Sequence, residues 1–165
     1  MHQFINGIFE YTKLGRIKQQ HELINIDEII ATSIDLLNIP YHVSIIKKGN
    51  FPMILGEKIK IQQVFQNLIS NAIKYNDKPK PEITIDYQDL DKFHSFSISD
   101  NGKGIDQRNF EKIFQIFQTL QPKDSFESTG IGLTIVKRIV KQHGGKINVE
   151  SKIGLGTTFE FTLEK

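Results

Sequence analysis

The chain has 165 residues, of which 38% are hydrophobic and 24% charged, with a net charge of +2. This balance is typical of a single globular domain and gives no support for nucleic-acid binding, which requires clustered basic residues. The absence of cysteine excludes disulfides and thiolate metal sites. The lack of cysteine is compatible with the cytoplasmic location that we expect. Because no run of about 18 apolar residues occurs, we expect no direct membrane contact, with any membrane anchor in a longer parent protein.

The first third of the chain predicts an isolated helix, a linker and a helix followed by two strands. Residues 2–15 have apolar side chains at helical spacing, but so short a helix cannot bury them unaided, so we interpret it as the tail of a longer element. Asp27 is the predicted N-cap of a helix that reaches Leu37 and stops before Pro40. Two strands, 41–46 and 51–55, follow and are joined by a turn at Gly49-Asn50.

The remaining elements alternate between helices and pairs of strands. We predict a long amphipathic helix over 57–75, strands at 82–87 and 93–99, a short helix or irregular turn at 110–117, a helix over 131–143, and strands at 146–150 and 157–163. The polar connection 118–129 is long enough to be functional or mobile. This order predicts a two-layer α/β sandwich with a mixed sheet and helices on one face.

One stretch at the end of a predicted strand, Asp100-Asn101-Gly102-Lys103-Gly104-Ile105, favours a binding pocket. Its glycines allow the backbone to approach a flat ligand, and the Asp100 carboxylate can accept a hydrogen bond. A plain Asp-Asn-Gly turn explains the same residues about equally well. The choice between the two depends on the other unusual stretches of the chain.

The long helix carries polar residues on one stripe, since Asn67, Asn71 and Lys74 are spaced by four and three residues and Tyr75 is adjacent. A solvated helix face is the simpler explanation, but the stripe lies beside apolar positions that should pack on the sheet. An amide oxygen suits Mg²⁺, and an ammonium group suits a phosphate oxygen. We therefore interpret this stripe as one wall of a pocket.

Two further glycine-rich stretches and one aromatic series have two explanations each. Thr129-Gly130-Ile131-Gly132-Leu133 opens a helix, where backbone N–H groups can hold an anion, although an ordinary glycine-rich turn is as compatible. Gly154-Leu155-Gly156-Thr157-Thr158-Phe159 is most simply a hairpin turn, with a threonine hydroxyl that could face the pocket. Phe110, Phe114 and Phe117 are most simply core aromatic residues that anchor one end of a lid.

Five stretches in this order resemble the N, G1, F, G2 and G3 boxes of sensor histidine kinases, whose ATP-binding domain has the Bergerat fold. They are residues 67–75, 100–105, 114–117, 130–133 and 156–159. The same fold is shared with type II topoisomerases, a heat-shock chaperone and mismatch-repair ATPases. The start of the chain, 5–16, also resembles the end of the second dimerisation helix, so the expected division is 1–20 as helix remnant with linker and 21–165 as the ATP-binding catalytic domain.

The resemblance implies a role for each matching residue. Asp100 would accept a hydrogen bond from the adenine amine, supported by Thr158, and Asn71 would hold Mg²⁺. Asn67, Asn71 and Lys74 would be the catalytic residues. The residues implied for ATP binding are Asn67, Asn71, Lys74, Tyr75, Asp100, Gly102, Gly104, Ile105, Lys123, Thr129, Gly130, Ile131, Gly132, Leu133 and Thr158.

The resemblance also bears on the type of reaction. Hydrolysing relatives usually carry a glutamate where this chain has Asn67, and an amide cannot take a proton from water, so transfer to another acceptor is favoured over hydrolysis. Ser128 stands where many relatives have glycine, and Lys123 lies in a lid region that often contains arginine. Both departures concern the lid and leave the predicted binding site intact.

The phosphoacceptor histidine of the family is not expected in this chain. His21-Glu22 matches the acceptor dipeptide but follows the helix that the acceptor should precede, and His2, His42, His94 and His143 are interpreted as surface or structural residues. The resemblance therefore implies the kinase domain of a two-component system that acts on a dimerisation segment of a homodimeric parent, with a response regulator downstream. The alternatives are a Bergerat-fold ATPase or an anti-sigma-type serine kinase, and a non-enzymatic nucleotide sensor.

Overall fold

The computed structural model describes residues 21–115 and 130–165. In these residues a five-stranded mixed sheet has three helices on one face. The elements are β1 (Glu22–Asn25), α1 (Ile26–Leu36), β2 (Ser44–Lys48), β3 (Met53–Gly56), α2 (Lys58–Lys74), β4 (Glu82–Asp89), β5 (Phe93–Asp100), two 3₁₀ turns (Gln107–Asn109 and Lys112–Phe114), α3 (Gly132–Gln142), β6 (Ile147–Lys152) and β7 (Gly156–Glu164). The predicted two-layer α/β sandwich is confirmed.

The strand order of the main sheet is β2-β4-β5-β7-β6. Only the β2–β4 pair is parallel, and the other neighbours are antiparallel. From Thr157 onward, the buried side chains of β7 alternate with half-buried or exposed ones, because successive residues of a strand point to opposite faces. The buried face packs against α2 and α3.

Three phenylalanines hold α2 onto the centre of the sheet. Phe65 of α2 meets Phe96 of β5 and Phe161 of β7 edge to face, at ring-centroid distances of 5.6 and 5.4 Å. Phe96 and Phe161 stack on each other at 5.3 Å. All three rings are fully buried, and aromatic pairs at such distances stabilise beyond the area they bury. This packing fixes the position of α2, whose polar stripe borders the sheet edge.

The structure corrects the prediction for the chain before α2. β1 was not predicted, and it pairs antiparallel with β3 in a separate two-stranded sheet, while β2 runs parallel to β4. The predicted turn at Gly49-Asn50 therefore does not make a hairpin. A four-residue strand with one buried side chain, Ile24, is too short to show periodicity in the sequence.

The N-cap of α1 is Asn25 and not the predicted Asp27. The Asn25 side chain accepts a hydrogen bond from the Asp27 backbone N–H at 3.0 Å, so the helix begins at Ile26. Asp27 lies in the first turn, where its carboxylate is near the positive helix end, and Lys47 of β2 donates to it at 2.7 Å. Either residue type can cap a helix, and only the fold distinguishes them.

Several predictions concern residues outside the described ranges. They are the helix over 2–15, the connection 118–129 with Lys123, Ser128 and Thr129, the surface or structural role of His2, and Phe117. Phe110 and Phe114 are half-buried, and the Phe114 ring meets the Phe159 ring edge to face at 6.3 Å. Across residues 21–115 and 130–165, no helix has the length and apolarity needed to cross a membrane.

Candidate functional site

The polar stripe of α2 lies at the border of the core, where Asn67, Asn71, Lys74 and Tyr75 are all half-buried. The Asn67 amide nitrogen donates to Gln63 O at 2.8 Å, which orients its amide oxygen away from that carbonyl. A Cβ atom added at Gly132 would lie 2.6 Å from this Asn67 oxygen. Glycine at 132 therefore allows the first turn of α3 to approach α2 closely at Asn67.

The other end of the same stripe contacts the turn after β5. A Cβ atom at Gly102 would lie 3.2 Å from Tyr75 O, so this turn passes close to the end of α2. The Gly102 N–H donates to Asp100 Oδ1 at 2.8 Å. Burial raises the pKa of the Asp100 carboxyl, while the backbone N–H groups of Gly102 and Thr157 act in the opposite direction. Asp100 thus presents a half-buried acceptor beside Tyr75.

Two ammonium groups surround the Tyr75 ring. Lys74 Nζ lies 5.9 Å and Lys103 Nζ 5.6 Å from the ring centroid. Both distances are within the range in which a cation is attracted to the face of an aromatic ring. The positive charge predicted from Lys74 is therefore shared with Lys103, which was not predicted as a site residue.

An asparagine network that the sequence analysis missed fixes the Asp100 turn to the end of α2. Asn101 Oδ1 accepts from Asn76 Nδ2 and from the Glu82 N–H, both at 2.9 Å, and Asn101 Nδ2 donates to Lys80 O at 3.1 Å. One side chain thereby holds the helix end, the start of β4 and the turn together. Asn-Gly pairs indicate only a turn in the sequence, so this role could not be read from it.

The strand register places Thr157, and not the predicted Thr158, beside Asp100. In the β5–β7 ladder Asp100 is opposite Thr157, whereas Ser99 is opposite Thr158. Directly opposed residues point to the same face, so Thr157 shares the inner face with Asp100, and the Thr158 hydroxyl pairs with the Ser99 hydroxyl on the outer face at 2.8 Å. Two consecutive threonines point to opposite faces, and the sequence does not reveal which face is buried.

A further missed residue, Ser151 of β6, connects this edge to the glycine turn. Its hydroxyl accepts from the Ile105 N–H at 2.8 Å, donates to Gly156 O at 2.7 Å and lies 2.9 Å from Thr157 Oγ1. The adjacent Gly104 has φ +74°, and a side chain there would overlap Lys152 O. The turn from Gly102 to Ile105 is therefore held against β6 and β7.

The start of α3 supplies backbone N–H groups to the same region. Its N-cap residue, Ile131, has no side chain that can accept a hydrogen bond, so the first turn is uncapped by its own N-cap. The Ile131 side chain is buried in the core and Leu133 is half-buried against it, so the backbone of this segment is what a ligand can contact. Gly130 precedes the helix with φ +64°.

The structure thus brings most of the predicted residues to one side of α2, which we take as the candidate binding cleft. Asn67, Asn71, Lys74 and Tyr75 lie on this side, with the start of α3 near Asn67 and the Asp100 turn with Thr157 near Tyr75. The described histidines lie elsewhere. His94 Nδ1 pairs with the Tyr87 hydroxyl at 2.9 Å, and His143 Nδ1 with Ile139 O at 2.9 Å.

Comparison with known proteins gives the family. A family model described as "Histidine kinase-, DNA gyrase B-, and HSP90-like ATPase" matches residues 56–165. The chain belongs to this ATPase family. Within it, the predicted resemblance to the ATP-binding catalytic domain of histidine kinases is confirmed.

Named relatives and solved structures agree with this assignment. The chain is 40% identical over 169 residues to cyanobacterial phytochrome B of Nostoc sp. and 32% identical over 169 residues to the methanogenesis regulatory histidine kinase FilI of Methanothrix harundinacea. In each case 99% of this chain is covered, but only 22% and 19% of the relative, so the chain spans about a fifth of their length.

Among solved structures, the catalytic domain of histidine kinase ThkA superposes with a TM-score of 0.76 at 26% identity, covering 89% of this chain and 97% of that one. Full-length ShkA in complex with AMPPNP superposes with a TM-score of 0.83, covering 98% of this chain and 35% of that one. At 22% identity the likeness to ShkA concerns the fold alone.

Proposed function

We propose that the chain binds Mg·ATP in the cleft along α2 and, within a longer protein, transfers the γ-phosphoryl group to a histidine on a dimerisation segment. The observation that carries the proposal is that two separate glycine turns approach the same helix. Gly132 approaches at Asn67, and Gly102 approaches at Tyr75, eight residues later. Eight residues of helix span about 12 Å, which separates a base-binding end from a phosphate-binding end.

The base-binding end is the pair Asp100 and Thr157. A carboxylate accepts hydrogen bonds only, and the exocyclic amine of adenine donates them, so Asp100 suits this edge of the base. The Gly102 N–H holds one carboxylate oxygen at 2.8 Å and so fixes the side chain before the nucleotide arrives. Gly104 and Ile105 lie in the same turn and would border the base.

The phosphate-binding end combines the start of α3 with Lys74 and Asn71. The backbone N–H groups at a helix N-terminus and an ammonium group both favour phosphate oxygens. The Asn71 amide oxygen fits Mg²⁺, because this ion prefers oxygen and commonly takes few protein ligands besides substrate phosphates and water. Bound Mg²⁺ would neutralise charge that develops on the phosphates. Within the described ranges, no three His, Asp or Glu side chains come together to hold a metal.

The residues at the phosphate-binding end favour transfer of the γ-phosphoryl group over hydrolysis of ATP. Asn67 is an amide, and its nitrogen is engaged by Gln63 O at 2.8 Å, so it offers no base that could take a proton from water. We infer that the γ-phosphoryl group is kept for a histidine acceptor. The longer protein would act as a homodimer in the cytoplasm, where ATP is available, and the phosphoryl group would pass to a response regulator.

The test is transfer in trans. The purified chain, a separately purified dimerisation segment of the parent protein and γ-labelled Mg·ATP are mixed, and label on the segment is followed. We expect label that is lost in acid and stable in base, because a phosphohistidine has that behaviour and a phosphoserine does not. Acid-stable label would favour the serine-kinase alternative, and phosphate release without labelled protein would favour the ATPase.

Replacement of Asn71 by alanine tests the magnesium role. We expect the transfer rate to fall by roughly a hundredfold or more, as for removal of one preorganised electrostatic contact, while binding of ADP without Mg²⁺ stays within about twofold. Calorimetry with and without Mg²⁺ measures the second quantity. Gln66→Ala removes a half-buried amide from another face of α2 and should change neither value. Equal Mg²⁺ dependence in Asn71→Ala and the unaltered chain would contradict the assignment.

A further inference from the structure

The Ser151 hydroxyl has three polar neighbours and a single proton. It accepts from the Ile105 N–H at 2.8 Å and lies 2.7 Å from Gly156 O and 2.9 Å from Thr157 Oγ1. The contact with Gly156 O is the shortest of the three, and a carbonyl oxygen can only accept, so we assign the Ser151 proton to Gly156 O. The Ile105 N–H uses one of the two lone pairs of Ser151, and the second lone pair faces Thr157.

This arrangement determines the direction of the hydrogen bond between the two hydroxyls. Because Ser151 has already donated its only proton, the proton between Ser151 and Thr157 belongs to Thr157. Thr157 therefore has no proton left for a ligand and can offer only its lone pairs. The Thr157 side chain is buried on the inner face, opposite Asp100 in the β5–β7 ladder.

We propose that Ser151 is a positioning residue for nucleotide selectivity, because it makes Thr157 an acceptor beside the acceptor Asp100. The inference rests on the proposed function. An edge with two acceptors suits the C6 amine of adenine and disfavours a base with a carbonyl oxygen at C6, which would face lone pairs. Ser151 contacts no part of the base itself and acts through the Thr157 hydroxyl and the Ile105 turn.

ADP and IDP test this, since their bases differ at C6 and in the protonation of the neighbouring N1. Calorimetric affinities are measured for the unaltered chain, Ser151→Ala and Ser151→Thr. In Ser151→Ala the Thr157 proton is free to turn toward the ligand, so we expect the ADP/IDP affinity ratio to fall by roughly three- to tenfold, the effect of about one hydrogen bond. Ser151→Thr keeps the hydroxyl and should have the same ADP/IDP affinity ratio as the unaltered chain.

Ser99→Ala is the matched control, because Ser99 pairs with Thr158 at 2.8 Å on the outer face of the same sheet. It should leave the ratio unchanged. In a Thr157→Val background, Ser151→Ala should have no further effect on the ratio. If Ser151→Ala does not fold, Ser151→Cys, with its weaker thiol donor and acceptor, takes its place and should lower the ratio in the same direction.

The experiment distinguishes failure of the proposed function from failure of the Ser151 inference alone. If the unaltered chain does not prefer ADP to IDP, base recognition at Asp100 is wrong, and the proposed function fails together with this inference. If the unaltered chain prefers ADP but Ser151→Ala, or Ser151→Cys where alanine does not fold, keeps the same ratio, Ser151 does not position Thr157 and only this inference is overturned. A loss of ADP and IDP affinity by the same factor would also overturn it, because a purely structural role gives that result.

Discussion

Asp100→Asn is expected to lower the affinity for an ATP analogue by roughly a hundredfold, because it replaces a charged acceptor by a group that also donates. The amide nitrogen of asparagine would face the adenine amine, and two donors cannot bond to each other. Calorimetric titration measures the change. Asp91→Asn, an exposed position in the turn at the far end of β5, is the matched control and should bind normally.

The Asp100 carboxylate should also make nucleotide affinity depend on pH. Burial raises the pKa of Asp100, so in the folded free domain it takes up a proton at a higher pH than an exposed aspartate does. Since the charged form binds the adenine amine better, nucleotide affinity should fall as the pH is lowered from neutral through the raised pKa. The stability of the free domain should change with pH in the opposite direction. Ionising a buried carboxyl disfavours folding, so the contribution of Asp100 to the free energy of unfolding should rise as the pH is lowered and the carboxyl is protonated.

Asp100→Asn should remove the contribution of Asp100 from the pH dependence of nucleotide affinity and from the pH dependence of stability. Affinity of the variant should be low and nearly independent of pH in the range where affinity of the unaltered chain changes. If the variant binds as tightly as the unaltered chain, or if both lose affinity in parallel as the pH falls, another group recognises the base. The cleft would then be misplaced at its Tyr75 end.

Gly104→Ala is expected to damage both the fold and the site. Gly104 has φ +74°, where an L side chain costs about 1–2 kcal/mol, and the new Cβ would also overlap Lys152 O of β6. Because that carbonyl belongs to a strand, the turn has to move instead, and it carries the Ile105 N–H away from Ser151. We expect nucleotide affinity to fall by at least tenfold and the melting temperature by several degrees, measured by calorimetry and thermal denaturation.

Gly154→Ala is the control that separates backbone strain at positive φ from the overlap of a new Cβ with its neighbours. Gly154 has a similar φ of +81°, but an added Cβ meets nothing within 4 Å. This variant should show only the backbone strain, about 1 kcal/mol of unfolding free energy, with nucleotide affinity unchanged. If Gly104→Ala binds nucleotide as well as Gly154→Ala does, the turn after Asp100 is not part of the binding site.

Local patterns in the sequence were sufficient for α2, α3 and most strands of the main sheet. Apolar periodicity over seventeen residues in α2 and alternation along β4, β5 and β7 each reflect one buried face, and a face of that length leaves a readable pattern. The glycine turns and the asparagine stripe were also readable, because their residue types and spacing are unusual in combination. Those features gave the family resemblance and most of the candidate site.

Pairings between distant segments were decided only by the tertiary structure. The parallel contact of β2 with β4 and the small β1–β3 sheet join segments whose own sequences do not specify a partner. Strand register decided the site as well, because a shift of one residue exchanges the two faces, and so Thr157 rather than Thr158 stands with Asp100. Ser151 and Asn101 act through hydrogen bonds to segments far along the chain, and a single hydroxyl or amide has no periodicity from which such a partner can be predicted.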